Sequence, residues 1–480
     1  MKCSLNASVL HNISGSDTVE AGDFLKICFR NIAMKRIVLF LSLTLFAATT
    51  LSAQTPYVPS PENLAAREKF SEARFGVFIH WGIYSMLADG EWIMNNNDIP
   101  YDEYKNFASG FYPSKFDARE WVRTFKAAGA KYITITSRHH DGFSMFGTKA
   151  SPYNIVDATP FKRDVLKELA EACAEEGLTL NFYYSHLDWG RNDYWPLGNT
   201  GHESGRPDGD ESSWGHYLDF MCAQLTELLT NYGPIGCIWF DGIWDKTLPD
   251  HKAHGELWQL RRQYDLIHSL QPACLVGNNH HLPVFEGEDI QIFEKDVPGK
   301  NTAGFSGTSK VSDDLPLETC QTIYNAWGYS VTDREYKSPE YLVRYLVETA
   351  GKGANLLLNI GPRPDGTLPG QSVERLLFIG KWLEKYGGTI YGTKGGCVPE
   401  QSWGVTTQKD NKLFVHVLDG SKTVFLPMEG GIKAVSAVSF DDGSKVQFTQ
   451  IREGIVLTVP DAGKEVVDRI VTLTFKNPLP

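Results

Sequence analysis

The chain has 480 residues, long enough for two or three domains. Its formal net charge is -12 and it carries no basic tract, which argues against nucleic acid as a partner. The composition is that of an ordinary globular protein rich in aromatics, with 12 Trp, 20 Tyr and 26 Phe.

Residues 1–53 read as a leader. Lys35-Arg36 form a basic region, residues 37–48 an apolar one, and Leu51-Ser52-Ala53 before Gln54 a small-residue cleavage site. That is the order of a secretory signal peptide. The apolar run is too short to span a bilayer, which takes roughly 20 residues. Met34 is the natural first residue of such a peptide, so residues 1–33 read as an over-extended start. No cysteine follows the apolar run to carry a lipid anchor. Loss of 1–53 removes five basic and three acidic residues and leaves a charge of -14. A secreted, periplasmic protein without a membrane span is expected. Of eight cysteines, Cys3 and Cys28 precede the cleavage site. Cys173, Cys222, Cys237, Cys274, Cys320 and Cys397 are widely spaced, form no CxxC and mostly sit in apolar patterns, so buried free thiols are expected.

Helices and strands then alternate. A helix over 118–128 leads to a strand at 132–136. A helix over 163–176, with Val165, Leu166, Leu169 and Cys173 at helical spacing and Gly177 as its stop, leads to a strand at 178–183. Helix 214–232 precedes strand 235–240, helix 257–270 precedes strand 273–277, and helix 338–351 precedes strand 355–360. A last helix covers 371–386. Alternation of this length predicts an α/β fold, a (β/α) TIM-like barrel. Residues 281–330 show strand signals without a helix, so some helices are irregular or missing. The Gly- and Pro-rich stretch 189–213 reads as an insertion at the barrel mouth, a lid or subsite wall. Past residue 392 short alternating runs appear at 413–418, 423–426, 434–440, 446–449, 455–459 and 470–475. Asp419-Gly420, Asp442-Gly443 and Asp461-Ala462-Gly463 mark turns between them. The predicted domains are a barrel over 55–391 and an antiparallel β-sandwich over 392–480.

Four apolar runs end in polar-aromatic clusters: Phe78-Ile79-His80-Trp81-Gly82, Thr136-Ser137-Arg138-His139-His140-Asp141-Gly142, Phe182-Tyr183-Tyr184-Ser185 and Ile238-Trp239-Phe240-Asp241-Gly242. A barrel builds its active site from such strand ends. Trp, Tyr, His and paired carboxylates serve sugar recognition and glycosidic cleavage. Asp241 shares a strand face with Trp239 and, ionised beneath an anomeric carbon, is a nucleophile. A retaining glycosidase needs a second carboxyl about 5–5.5 Å away, protonated at rest. Glu286, Glu288, Asp289, Glu294 and Asp296 are all candidates, and the residue types leave the choice open. Glu294 has apolar neighbours, Ile292 and Phe293, that favour its protonated form. His80, His139, His140, His186, His280 and His281 invite a metal reading. Adjacent histidines on extended backbone diverge, however, and no HxxxH or HExxH occurs. Hydrogen bonding to sugar hydroxyls is the better use. Glu91-Trp92 adds a carboxylate and an apolar wall, and Trp327 another wall. Neither metal nor cofactor is expected.

Together these motifs resemble the α-L-fucosidases of glycoside hydrolase family 29. The resemblance runs from about Arg74 to Gly396. It is carried by Arg74-Phe75-Gly76-Val77-Phe78-Ile79-His80-Trp81-Gly82, Glu91-Trp92, Lys131-Tyr132 through His139-His140-Asp141-Gly142-Phe143, Trp239-Phe240-Asp241, and residues 355–361. It implies a retaining exo-α-L-fucosidase acting on fucosylated oligosaccharides or glycoconjugates. It implies Asp241 as nucleophile. The family's form Asp-(aromatic or aliphatic)-x-x-x-Glu matches Asp289 to Glu294, so Glu294 is the implied acid/base, with Glu288 in reserve. His80, Glu91, Trp92, His139, His140, Tyr183 and Trp239 match fucose-binding positions. Some members place an arginine near Asn279, where this chain has Asn278-Asn279-His280-His281. One alternative is a fucose-binding protein that has lost catalysis, which the presence of both Asp241 and Glu294 argues against. Another is a glycosidase for α-L-galactosides, whose sugar adds a C6 hydroxyl.

Overall fold

The computed structural model describes residues 56–202, 205, 209–305, 310–428, 432–461 and 466–479. The expected leader, with Cys3 and Cys28, lies outside the described residues.

Helix α1 (Pro61–Ala73) starts at Ser60, whose hydroxyl accepts from Asn63 N–H, with proline in its first turn. It seals the bottom of the barrel. Phe70 packs on Tyr132 with centroids 5.2 Å apart, and its carbonyl accepts from the Asn355 side chain. Eight parallel strands follow: β1 (Phe75–Ile79), β2 (Tyr132–Arg138), β3 (Thr179–Ser185), β4 (Cys237–Asp241), β5 (Leu275–Asn279), β6 (Gln291–Glu294), β7 (Leu317–Thr322) and β8 (Ala354–Ile360). Their order is β5-β4-β3-β2-β1-β8-β7-β6. β5 and β6 meet through the isolated bridge Gly277–Ile290, which nearly closes the sheet into a barrel. Two residues of the Arg74-Phe75-Gly76 motif have structural tasks. The Arg74 guanidinium donates to the carbonyls of Gly353 and Thr393. Gly76 makes room for Tyr132, because a Cβ there would lie 2.4 Å from its ring.

Helices α2 (Ala118–Ala127), α3 (Val165–Glu176), α4 (Glu211–Asn231), α5 (His251–Leu257), α6 (Leu260–Leu270), α7 (Pro339–Gly351) and α8 (Gly370–Tyr386) follow β1 to β4, β7 and β8. Among the described residues no helix separates β5 from β6 or β6 from β7, in keeping with the strand-only character of 281–330. Helix α4 begins earlier than its apolar periodicity indicates, because Asp210 and Ser213 form a capping box. The helix expected over 257–270 covers Leu260–Leu270, and a separate helix, α5, precedes it and ends at Leu257. The break falls at Trp258 and at Gln259, whose φ is 47°. It lets Trp258 sit fully buried against Trp214 and His186.

The C-terminal strands are β9 (Lys394–Gly395), β10 (Gly404–Lys409), β11 (Lys412–Val417), β12 (Thr423–Pro427), β13 (Ala434–Ser439), β14 (Phe448–Ile451), β15 (Gly454–Thr458) and β16 (Arg469–Phe475). They form two antiparallel sheets, β13-β16-β11-β10-β9 and β12-β15-β14. Leu413, Val415, Leu426, Ile455, Leu457, Val471 and Leu473 make the core of this β-sandwich. The alternating pattern misses β9 and β10 and places β14 two residues early. Glu400 ties the sandwich to the barrel by pairing with Lys300 and Lys352, each at 2.7 Å. The six described cysteines are free, and Cys173, Cys237, Cys274 and Cys320 are buried. Among the described residues no helix is long and apolar enough to cross a membrane.

Candidate active site

The carboxyl ends of the barrel strands enclose a cavity of about 490 Å³. Asp241 ends β4, two residues after Trp239 on the same inward face. Gly242 then turns the chain with φ 98°, and a Cβ there would lie 2.9 Å from the backbone nitrogen of Leu187, so only glycine fits. The 3-10 turn Ile243–Asp245 folds Trp244 back, and its Nε1 donates to Asp241 Oδ1 at 2.8 Å. Tyr183, from β3, donates its hydroxyl to Asp241 Oδ2 at 2.9 Å. Glu294 ends β6, and Asn279 ends β5 between the two carboxyls. Its Nδ2 is 2.9 Å from Glu294 Oε2 and 3.5 Å from Asp241 Oδ1. With both oxygens within 3.5 Å of one nitrogen, their separation is less than twice that distance.

Burial, and then the neighbouring Glu294, push the Asp241 carboxyl up to about 6, against the pull of the Trp244 and Tyr183 donors. Burial raises Glu294 as well, opposed by the Asn279 donor and the Lys295 charge. Two buried carboxyls in such proximity do not both ionise readily. Asp241 accepts two short hydrogen bonds and Glu294 one, so the shared negative charge is better accommodated on Asp241.

The histidines are held neutral. Burial lowers His80 to about 3 and takes His139 and His140 well below the usual imidazole range. His80 Nδ1 lies 2.6 Å from Asn359 Oδ1, whose amide nitrogen is already committed to the Trp327 carbonyl. His80 therefore donates from Nδ1 and keeps Nε2 as an acceptor. Ser185 spends its proton on the Leu187 carbonyl and so accepts from His140 Nδ1 at 2.7 Å. That leaves His140 Nε2 as an acceptor 3.7 Å from Asp241 Oδ2. His139 stacks on Tyr183 with centroids 5.4 Å apart. The expectation that His139 and His140 diverge is wrong. A register shift between Thr136 and Arg138, then a turn from His139 to Gly142, ends the strand alternation, and both rings face the cavity with centroids 4.1 Å apart. Among the described residues no group of three or more His, Cys, Asp or Glu is arranged to hold a metal ion.

The structure brings His80, Glu91, Trp92, His139, His140, Tyr183, Trp239, Asp241, Glu294 and Trp327 to this one cavity. Glu91 is buried and accepts from Gly328 N–H at 2.7 Å, and burial raises its carboxyl. Glu288 is placed elsewhere. It is turned away into a hydrogen-bonded pocket with His280 and Tyr264, because the loop after β5 carries it outside the barrel wall. The insertion at 189–213 does reach the mouth: Trp189 packs edge-on against Trp92 and His140. Sequence reasoning missed Trp244, Lys295, Phe305 and Asn325 as cavity walls; Asn279 and, of the further candidate histidines, His281 also line it. It also missed Glu318 on β7, which accepts from Trp239 Nε1 at 2.9 Å and Tyr132 Oη at 2.5 Å and so fixes the indole at the cavity floor.

Two carboxyls among neutral histidines and indoles, at the C-terminal mouth of a parallel barrel, define a sugar-processing enzyme of the glycoside hydrolase class. A family model described as alpha-L-fucosidase matches residues 44–388, and the chain belongs to that family, glycoside hydrolase family 29. Plasma alpha-L-fucosidase of Pongo abelii is 31% identical over 452 residues, 85% of this chain and 89% of the relative. The rat plasma enzyme is 33% identical over 395 residues, 74% of this chain and 78% of its own. Among solved structures, alpha-L-fucosidase isoenzyme 1 from Paenibacillus thiaminolyticus is 32% identical, covers 87% of this chain and 100% of its own, and superposes with TM-score 0.74. The family 29 enzyme of Bacteroides thetaiotaomicron is 25% identical, with coverages of 88% and 97% and TM-score 0.75.

Proposed function

We propose that this α-L-fucosidase is a retaining exo-enzyme, with Asp241 as nucleophile and Glu294 as acid/base. The observation that carries the reading is the Asn279 amide, which holds both carboxyls within 3.5 Å of one nitrogen. A separation below about 7 Å accommodates the about 5–5.5 Å of a retaining pair and excludes most of the about 6.5–9.5 Å of an inverting one. A structure of the Bacteroides thetaiotaomicron relative is described as a trapped covalent intermediate with 2-fluoro-fucosyl fluoride, which supports the same course here.

In the first step a carboxylate oxygen of Asp241 bonds to C1 of a terminal α-L-fucosyl residue as the C1–O bond to the aglycone breaks. The proton of Glu294 goes to the departing oxygen. In the second step Glu294, now a base, takes a proton from water, the water oxygen bonds to C1, and Asp241 leaves as carboxylate. His80 and His140 offer acceptors, and Glu91 a carboxylate, to sugar hydroxyls, while Trp92, Trp239 and Trp327 face the apolar side of the ring. The substrates are fucosylated oligosaccharides or glycoconjugates. The signal-like pattern from Lys35 to Ala53 supports a secreted, periplasmic location.

The test is release of nitrophenol from 4-nitrophenyl α-L-fucoside, with the α-L-galactoside beside it, by the protein and by Asp241→Ala. The expected result is a loss of several orders of magnitude in the variant and rescue by azide to the β-fucosyl azide. Near-native activity of Asp241→Ala, or an α-fucosyl azide, would refute the assignment.

A further inference from the structure

A second cavity, of about 10 Å³, lies beside the sugar cavity between the end of β5 and β6. It sits at the seam where the barrel is joined through the Gly277–Ile290 bridge. Asn278, His280, Glu288 and Glu294 are among the residues that line it. A space of this size holds one water where several polar groups converge. Asn278 is 3% exposed and its side-chain oxygen has no hydrogen-bond partner. Such an oxygen calls for a donor.

The hydrogen bonds around Glu288 fix its role as an acceptor. His280 Nδ1 accepts from Leu282 N–H, so Nε2 carries the proton and donates to Glu288 at 3.0 Å. Tyr264 Oη receives the Asn278 amide at 2.8 Å and donates to Glu288 Oε1 at 3.0 Å. Two donors aimed at one carboxyl mark its oxygens as acceptors, open to a further donor such as a water. Glu294, which lines the same slot, also faces Asp241, Glu91, Lys295, Cys320 and His281, the last at 3.6 Å.

We propose that the slot takes one water, and that through it Glu288 is a positioning residue for the acid/base, keeping Glu294 in its protonated, donating form. The proposal rests on the reading of Glu294 as acid/base. The water gives its two protons to Glu288 and the Asn278 oxygen and turns a lone pair to Glu294, to which the protonated acid can donate and the carboxylate cannot, so loss of Glu288 or of the water lets Glu294 lose its proton at lower pH.

The experiment is the pH profile of kcat/KM for an alkyl α-L-fucoside, whose leaving group needs the acid, in the full-length protein. Glu288→Gln is expected to move the alkaline limb down by about half a pH unit or more. Asn278→Leu, which fills the slot with Glu288 in place, is expected to do the same. Combined with Glu294→Gln, neither substitution should cost anything further, since both act through that carboxyl. An unmoved alkaline limb in folded Glu288→Gln overturns the proposal and leaves Glu294 as acid/base. A loss in Glu288→Gln as large as in Glu294→Gln, persisting in the double variant, instead removes Glu294 from that role. Should Glu288→Gln not fold, Asn278→Leu decides by the same limb.

Discussion

Replacing Tyr183 with phenylalanine isolates one hydrogen bond to Asp241, the proposed nucleophile. The ring keeps its stacking on Trp239 and His139, with centroids 5.5 and 5.4 Å apart, and loses only the hydroxyl that donates to Asp241 Oδ2 at 2.9 Å. A hydrogen bond to a charged group is worth about 1.5–3 kcal/mol, and the lower end applies because Trp244 still donates to the same carboxylate. At 1.36 kcal/mol for each pH unit, that raises Asp241 from about 6 to about 7. The sign follows from the donor's preference for the ionised form, which is lost. The acid limb of kcat/KM, a property of the coupled Asp241–Glu294 pair, should therefore move up by about one unit. Measured with 4-nitrophenyl α-L-fucoside, the variant should be about tenfold slower than the parent near pH 5 and within about twofold near pH 8. An unmoved acid limb, or the same loss at every pH, would refute the argument. The second outcome would mean that the hydroxyl acts on the reacting sugar and not on the charge of Asp241.

Glu294→Ala should slow alkyl fucosides far more than activated aryl fucosides, because only poor leaving groups need the proton; equal losses on both would count against its role. Burial holds Glu318 up at about 7, above its ordinary value of about 4.5. Its contribution to stability is therefore full below about 4.5 and lost as pH rises through about 7, an interval worth at most about 3 kcal/mol. The melting temperature of Glu318→Gln should fall less between pH 5 and 8 than that of the parent, and parallel curves would contradict this. Gly242→Ala forces a side chain onto a φ of 98° and against Leu187, and should cost about 1–3 kcal/mol in denaturant unfolding. A variant as stable as the parent would show that the turn is not under this constraint.

The strands that carry Asp241 and the histidines were legible because each is an apolar run with its polar residues massed at one end. β6 and β7 were not. Leu317–Thr322 alternates Glu318 and Cys320 into the barrel, and a carboxyl facing inward reads as surface until Tyr132 and Trp239 are seen to satisfy it. Trp244 lies three residues past Asp241, and no periodicity reports the 3-10 turn that folds it back. Asn279 looked like a departure from the family pattern, whereas its amide spans the two carboxyls. The choice between Glu288 and Glu294 turned on which side of the barrel wall each falls, and a loop with no helix to pace it hides that from the sequence. Trp258 shows the same limit, since an apolar residue that continues a helical pattern also serves to break it.

The barrel seam lies between Asp241 and Glu294. Through laddered strands, β4 is reached from β6 only by way of β7, β8, β1, β2 and β3. The direct route is β5, the Gly277–Ile290 bridge and the amide of Asn279. The gap between Asp241 and Glu294 is thus spanned at the weakest joint of the sheet. In the proposed retaining course, a gap this short leaves no room for a water between carboxylate and sugar. The distance between the two carboxyls is in this sense a mechanical property of one joint, set by the bridge and the Asn279 amide together.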